Sequence, residues 1–495
     1  MAAAPPPPPA SASAAAGAPP APVGSAKLPL RDIPGGYGLP VLGAIKDRLD
    51  FFWFQGEREF WASRRNKFKS TVFRTHVPPS PPAFAANKVI MLLDQRSFPV
   101  LFDTDKVDKK DVLLANYMPK TSFYGGIRPC VYLDPSEERH TKLKSFIMSL
   151  LKAKASQWIP QTHKATMEVF SAWEAKLAEK PGGFEISSET GQIALNVLIR
   201  TLFGTDPSAD GLTPTAFSAW LGPQLLPFAS VGLPHLLEEL ILHNFRIPFL
   251  LVASFYKKIE SFVRKHGGEL LDEAEKQFGI EREDALHNII FFTGFNAFGG
   301  LNILLPWIVS YVGRESEEVK AEMAKEVREA VRAEGGMMTV GALRRMPLVR
   351  SAVFEVLRME PPVPYQYGVA KVDMVIESHE ARYEVKKGDM LGGCQPVAVR
   401  DPFIFGENAE TFKVRRFVGE QGENLLKHVL WGNGPADGEA SVANKQCAAN
   451  ELVPLLAQAF LASLFVRYDS FSTLPPLVRG NSVTHTLVSL RPVPP

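Results

Sequence analysis

Cysteine is scarce in this chain. Three thiols, Cys130, Cys394 and Cys447, are spread over 495 residues. They are too few and too scattered for a disulfide framework or a structural zinc site, both of which need clustered sulfur. A reducing compartment is expected. Neither an HExxH pair nor a Cys-x-x-Cys pair occurs, so zinc hydrolysis has no support, while a single thiolate stays available as a nucleophile or metal ligand. An excess of one charge is also missing: 55 Lys and Arg nearly balance 53 Asp and Glu, for a net charge of +2. That removes the bulk electrostatic argument for a nucleic-acid partner. Residues 1–26 carry no charge at all and are almost entirely Ala, Pro, Ser and Gly. Such a segment cannot bury enough apolar surface to offset chain entropy, and a disordered tail is predicted. Its serines and its lack of acids fit a plastid transit peptide as well as a plain tail, although such peptides usually carry Arg and none precedes Arg31.

What the chain does have begins with an uncharged run at 291–313, "FFTGFNAFGGLNILLPWIVSYVG". Its length would span a bilayer, but Asn296, Asn302, Gly294, Gly299, Gly300 and Pro306 lie inside it and "EREDALHN" and "RESEEVK" flank it. An amide without a partner costs on the order of a few kcal/mol in hydrocarbon, so no transmembrane span is expected. On a helix, Phe292, Asn296, Gly299, Gly300 and Ile303 fall on one side, an amide beside a shelf without side chains. Glycine costs about 1 kcal/mol relative to alanine inside a helix. Either a neighbouring helix or a ligand should therefore approach that shelf closely.

Around this run, "IPGGYGLPVLG" at 33–43 reads as irregular chain. Residues 134–276 are mostly helical in pattern, as in "SEERHTKLKSFIMSLLKAKASQWI". The paired charges of 317–336 predict a solvated helix ended by glycines. Alternation and a "KKGD" turn predict hairpins within 373–398. There is no internal repeat and no polar linker after residue 27, so 27–495 is expected to be one domain, mainly α with a small antiparallel β region.

Two further constellations carry chemistry. In "FEVLRMEPPVP" at 354–364, Glu355 and Arg358 stand three apart among Val353, Phe354, Val356 and Leu357, which predicts a buried structural pair. In "WGNGPADGEASVANKQCAANELVPLLAQAFLASLF" at 431–465, a Gly/Asn/Pro/Asp loop leads into Cys447 at the start of a long apolar helix. A thiol at a helix N-terminus has a lowered pKa, which suits a nucleophile or a metal ligand; an inert buried cysteine is the alternative.

In this order, Glu355/Arg358, "VRRF" at 414–417 with Arg416, and the Cys447 loop resemble cytochrome P-450 over essentially all of 27–495. The resemblance implies the cytochrome P-450 fold and a haem b whose iron takes Cys447 as its thiolate ligand. Oxygen-activating members of that family carry an acid and a Thr over the haem, and here Asn296 and Ala297 stand in their place. "GFNAFGG", "NKQCAAN", "YLDPSEERHTKLK" and "HVLWGNGP" resemble the plant branch that rearranges fatty-acid hydroperoxides: allene oxide synthase, hydroperoxide lyase and divinyl ether synthase. Their substrate already contains the O–O bond, so the resemblance implies turnover of 9- or 13-hydroperoxides of linoleic or linolenic acid without O2, NADPH or a reductase. It also implies that Asn296 orients the hydroperoxide, that Lys109, His140 and Lys144 hold the haem propionates, and that Lys445 adjoins the thiolate loop.

Within the branch, allene oxide synthases usually place a Phe, and lyases a Leu, where "DKKDVLLANYMP" has Leu113. The expected activity is hydroperoxide lyase, giving an aldehyde and an oxoacid. The alternatives, in order, are allene oxide synthase (a dehydratase) and a divinyl ether or epoxyalcohol synthase; an NADPH-dependent monooxygenase is the alternative of a different class. The "VRRF" that replaces the family's "PERF" speaks against the lyase. A plastid or cytoplasmic location is expected, with peripheral membrane contact through apolar stretches such as "LPFASVGLPHLLEEL".

Overall fold

Apolar positions recurring at three and four turn most of the chain into helices that bury one face against each other. The computed structural model describes residues 28–480 and 482–493; the expected tail at 1–26 lies outside the described residues. The helices that frame the site are α1 (Glu138–Ala153), α2 (Ala155–Glu179), α3 (Ser187–Phe203), α4 (Pro214–Leu225), α5 (Arg282–Val312), α6 (Glu317–Ala333), α7 (Pro347–Met359) and α8 (Leu452–Arg467). Helix α5 packs against α3, α7 and α8, and α8 also against α2 and α6. The apolar composition of α8 has no polar face to offer water, and Leu456, Phe460, Leu461 and Leu464 are all buried. Among the described residues α5 is the one helix long and apolar enough to cross a bilayer. Its Leu304, Leu305, Ile308, Val309 and Val312 are buried in the protein core.

The charged helix behaves as its sequence predicts. Ser316 Oγ accepts the Val319 N–H at 3.4 Å as the N-cap of α6, and Gly335 and Gly336, at φ 68° and 85°, end the run. One α6 carboxylate, Glu326, also accepts the Leu348 and Val349 N–H groups that α7 leaves open after Pro347.

The β region differs from expectation in two ways. Five strands, β1 (Val72–Val77), β2 (Asn87–Leu92), β3 (Val107–Asp108), β4 (Tyr365–Ala370) and β5 (Met390–Cys394), form a sheet in the order β1-β2-β5-β4-β3. It is mixed rather than antiparallel, because β5 runs parallel to β2 while the other pairs are antiparallel. Only strands adjacent in sequence are forced antiparallel by a tight turn, and almost the whole helical body separates β2 from β5. The "KKGD" segment is not a hairpin turn. The hairpin pairs Met374–Glu377 with Arg382–Val385 and turns over Ser378, whose Oγ accepts the Glu380 and Ala381 N–H groups. "KKGD" instead carries the chain from that hairpin into β5: Asp373 accepts the Lys387 N–H at 2.8 Å, Asp389 accepts the Lys386 N–H at 2.9 Å, and Gly388 takes φ 91°.

Candidate active site

Helix α5 changes its winding at Phe292–Phe298, where the turns widen to π geometry. In this stretch Asn296 is exposed and makes no side-chain hydrogen bond to the described residues. That distinguishes it from a core amide satisfied by backbone. Ile303, seven residues on, is 43% exposed, so the two share a face. The glycines divide by role. A Cβ on Gly294 would meet Trp220 at 2.7 Å and Phe217 at 2.8 Å, which is close packing against α4. A Cβ on Gly300 would meet nothing within 4 Å, and one on Gly299 nothing closer than 3.7 Å. Helix packing therefore accounts for Gly294 alone, and the shelf at 299–300 lies open beside Asn296.

The thiol loop is built on a two-residue strand pair, Leu430–Trp431 with Gly434–Pro435. Gly432 sits at φ 57°, its carbonyl accepts the Cys447 N–H at 2.7 Å, and a Cβ there would come 2.9 Å from Cys447 Cβ. Only glycine permits both the left-handed backbone and that approach. The Gln446 side chain closes the loop by donating to the Pro435 carbonyl at 2.8 Å. The expectation of a thiol in a helix's first turn is corrected here. α8 opens only at Leu452, after a turn at 448–451. Burial pushes the Cys447 thiol up from its ordinary value, opposed by the Ala449 N–H and by Lys144. A thiolate here therefore needs a cation beyond the helix end, and a metal ion supplies one by replacing the proton.

Four basic groups from distant parts of the chain meet in the third element of the site. Lys109 donates to the Tyr367 carbonyl at 2.7 Å, Lys144 to the Asn444 carbonyl at 2.6 Å, and Lys445 to the carbonyls of Leu133 and Cys130 at 2.8 and 3.0 Å. Among the described residues no carboxylate pairs with any of these ammonium groups. Burial, then repulsion from Lys445, pulls Lys109 down to about 7 and Lys144 down to about 8. Burial likewise lowers Lys445, and burial, then repulsion from Lys445 and Lys144, brings His140 down to about 3. His140 Nδ1 is buried with no partner. Buried cations that repel one another and an unsatisfied ring nitrogen fit a group that brings carboxylates of its own. A dicarboxylate haem is such a group.

Leu113 is partly buried against the helical core that Phe295, Ala297 and Cys447 also border. It lies in a loop held by left-handed Asp111 and Ala115. Glu355, Arg358 and Arg416 form one buried cluster, with Arg358 Nε and Arg416 Nε donating to the Glu355 carboxylate at 2.7 and 2.8 Å. Sequence reasoning missed Asn444, whose carbonyl anchors Lys144, because an acceptor carbonyl leaves no mark in a sequence. It also missed Asp94, His379 and Asp401, whose ligand atoms lie within 4.8 Å of one another. Their oxygens are already engaged: Asp94 accepts the Arg96 and Ser97 N–H groups at 2.8 Å, and Asp401 accepts from Gln95 N at 2.9 Å and His379 Nε2 at 2.6 Å. This cluster is an ion pair tying the hairpin down.

An apolar helix offering an exposed, unbonded amide, a loop-borne thiol and a carboxylate-free cluster of cations, all set on one helical body, define a haem-thiolate protein. Comparison with known proteins agrees. Residues 311–435 match the family model for cytochrome P450. The chain is 46% identical over 455 residues to "Allene oxide synthase 1, chloroplastic" of Solanum lycopersicum, covering 91% of this chain and 84% of that one. It is 46% identical over 453 residues to "Allene oxide synthase, chloroplastic" of Arabidopsis thaliana, covering 90% and 86%, and 44% identical over 454 residues to "Divinyl ether synthase CYP74M3" of Selaginella moellendorffii, covering 89% and 91%. The chain belongs to the cytochrome P450 family, in the branch of the allene oxide and divinyl ether synthases, and its cofactor is a haem-thiolate.

Proposed function

We propose that the chain is an allene oxide synthase: it dehydrates 9- or 13-hydroperoxides of linoleic or linolenic acid, with net loss of one water and no use of O2, NADPH or a reductase. The observation that carries this reading is the 46% identity, over nine-tenths of the chain, to two proteins of that name. It moves the expected outcome from lyase to dehydratase. In this reading the haem iron, once bound, supplies the homolytic cleavage of the O–O bond. The protein's own groups do the rest. Cys447 would provide the sulfur ligand, and Lys109, Lys144, Lys445 and His140 would hold the propionates. Asn296 has an amide but no acidic proton, so it binds and orients the hydroperoxide without delivering a proton. The shelf at Gly299 and Gly300 admits the substrate beside that amide.

One observation favours the lyase as a second reading. Leu113, on the core that Cys447 and Phe295 border, is aliphatic, and an aromatic face that would assist electron loss from a carbon radical is missing there. Purified protein given 9- and 13-hydroperoxides without NADPH, with products identified by mass spectrometry, decides. Ketols, from hydrolysis of the allene oxide, are expected. Short aldehydes with oxoacids would establish the lyase instead, and a requirement for NADPH and O2 would remove both. In the same assay Asn296→Ala is expected to slow turnover about a hundredfold, the scale of a misplaced reacting group, with an unchanged haem spectrum; an unaffected rate takes Asn296 out of the mechanism.

The location we propose is the plastid, as the names of the tomato and Arabidopsis relatives state for those proteins. We also propose peripheral contact with lipid through one apolar face. Leu236 and Leu250 are 74% and 84% exposed, and Leu240, Phe245 and Leu251 of the same stretch of chain are exposed as well. The two acids of this stretch, Glu238 and Glu239, turn inward: Glu238 caps the Val231 and Leu233 N–H groups, and Glu239 pairs with Arg48. An exposed leucine face cleared of carboxylates suits a bilayer surface. The protein is expected to float with phosphatidylcholine vesicles in a density gradient, and Leu236→Asp/Leu250→Asp to remain below. Failure of the unaltered protein to float would end this reading.

A further inference from the structure

Strand β4 carries a polar side chain that no role assigned above employs. Gln366 is 4% exposed, and its Nε2 is buried without a hydrogen-bond partner. An unsatisfied buried amide costs about 1–3 kcal/mol, and such groups are few in native proteins. Other buried atoms of this chain share that state, Trp173 Nε1 and Thr201 Oγ1 among them, so what singles out Gln366 is its neighbour.

The register says what that neighbour is. Side chains alternate across a strand, so Gln366 shares a face with Gly368 and not with Tyr365 and Tyr367. The tyrosines stack on each other and belong to an apolar cluster with Trp61, Phe73 and Met91. The Gln366 face is the one that Lys109 crosses: a Cβ on Gly368 would come 3.5 Å from Lys109 Cδ. Lys109 then ends on the carbonyl of Tyr367, the residue next to Gln366. An ammonium group without a carboxylate and an amide without an acceptor are thus neighbours on one side of β4. An anion drawn to the first would lie on the side of β4 that the second faces.

We propose that Gln366 donates its Nε2–H to the haem propionate that Lys109 holds, as a neutral member of the propionate cradle. This rests on reading Lys109 as a propionate ligand, and its physical content is separate from charge. A carboxamide keeps its donor at every pH and adds no repulsion to Lys144 and Lys445, which a further lysine would. It also positions the carboxylate against β4, so the sheet as well as the helices orients the cofactor.

The test is the rate of haem transfer from the holoenzyme to excess apomyoglobin at pH 8, followed by Soret absorbance. Gln366→Leu removes the donor and is expected to speed haem loss about tenfold, the scale of a hydrogen bond to a charged group. Gln366→Glu keeps the shape and sets a carboxylate against the propionate, so it is expected to lose haem faster still. Gln366→Lys restores a donor and is expected to hold haem at least as well as Leu and better than Glu. A role in packing alone would give the opposite order, with Glu like the native residue. Unchanged haem loss in Gln366→Glu overturns the proposal. Lys109→Met separates the two readings: faster haem loss in Lys109→Met with an unresponsive Gln366 series overturns the proposal and leaves Lys109 in place, whereas unchanged haem loss in Lys109→Met removes Lys109 and, with it, the shared propionate proposed here.

Discussion

Replacement of Cys447 by serine is expected to abolish turnover, by more than the roughly 10–100-fold that loss of a residue merely supporting a metal ligand costs. The argument rests on how the loop is made. Gly432 and the Cys447 N–H lock the backbone around the sulfur, so the substitution changes the ligand atom and little else. A serine hydroxyl ionises far less readily than a thiol, and in a setting that already raises the Cys447 thiol it stays protonated and weakly held to iron. Haem content, the carbon-monoxide difference spectrum and product formation should be measured together, with loss of the thiolate signature accompanying loss of activity. Cys394→Ala provides the contrast. Cys394 is buried in the sheet core, where burial pushes its thiol far up, and its loss should leave the spectrum intact. A Cys447→Ser enzyme with native spectrum and rate would refute the assignment.

The second large effect is on stability. The side chains of Glu355 and Arg358 are fully buried, yet every face of the cluster is satisfied. The Glu355 carboxylate takes two bonds from Arg358, one from Arg416 and the Lys413 N–H at 3.1 Å. Arg358 Nη1 donates to the carbonyls of Val399 and Ala409 at 2.9 and 2.7 Å, and its guanidinium lies 4.7 Å from the Phe405 ring centroid. Removing one partner strands the other charge in the interior, which costs about 3–5 kcal/mol, a large part of the about 5–15 kcal/mol that holds a protein folded. Glu355→Leu and Arg358→Leu are each expected to lower the thermal midpoint sharply and to depress soluble yield. The double variant Glu355→Leu/Arg358→Leu should be more stable than the sum of the singles implies, because neither charge is then left alone. Strict additivity in calorimetry would show that the pair is not coupled.

Much of this was readable before any fold was seen, because some signals are local. The burial of Glu355 and Arg358 follows from four apolar neighbours, and the end of α6 from two glycines that tolerate left-handed backbone. The run at 291–313 contains its own argument against a membrane in its amides. What the sequence leaves hidden is convergence. Lys109, His140, Lys144 and Lys445 come together only because a strand, a helix and a loop meet, and their common purpose entered through family resemblance. The "KKGD" turn misleads because a tight turn reverses the chain without saying which strand receives it. Cys447 misleads because the apolar pattern of α8 begins before its hydrogen bonding does, so the thiol seems nearer the helix dipole than it is. Leu113 carries the least: a one-residue distinction points to the lyase, while the names of the relatives are those of allene oxide and divinyl ether synthases.

The widened winding at Phe292–Phe298 has a geometric corollary. Each extra residue accommodated in such a turn rotates everything downstream by about 100° relative to an ordinary helix. The stretch therefore works as an angular setting within one rod: Gly294, inside it, keys it to α4, and the half beyond it is buried against α3, α7 and α8. Deleting a single residue here would turn one half by about 100° against the other, so that either the amide of Asn296 leaves its phase with the shelf below it or Leu304, Leu305, Ile308 and Val309 leave the core.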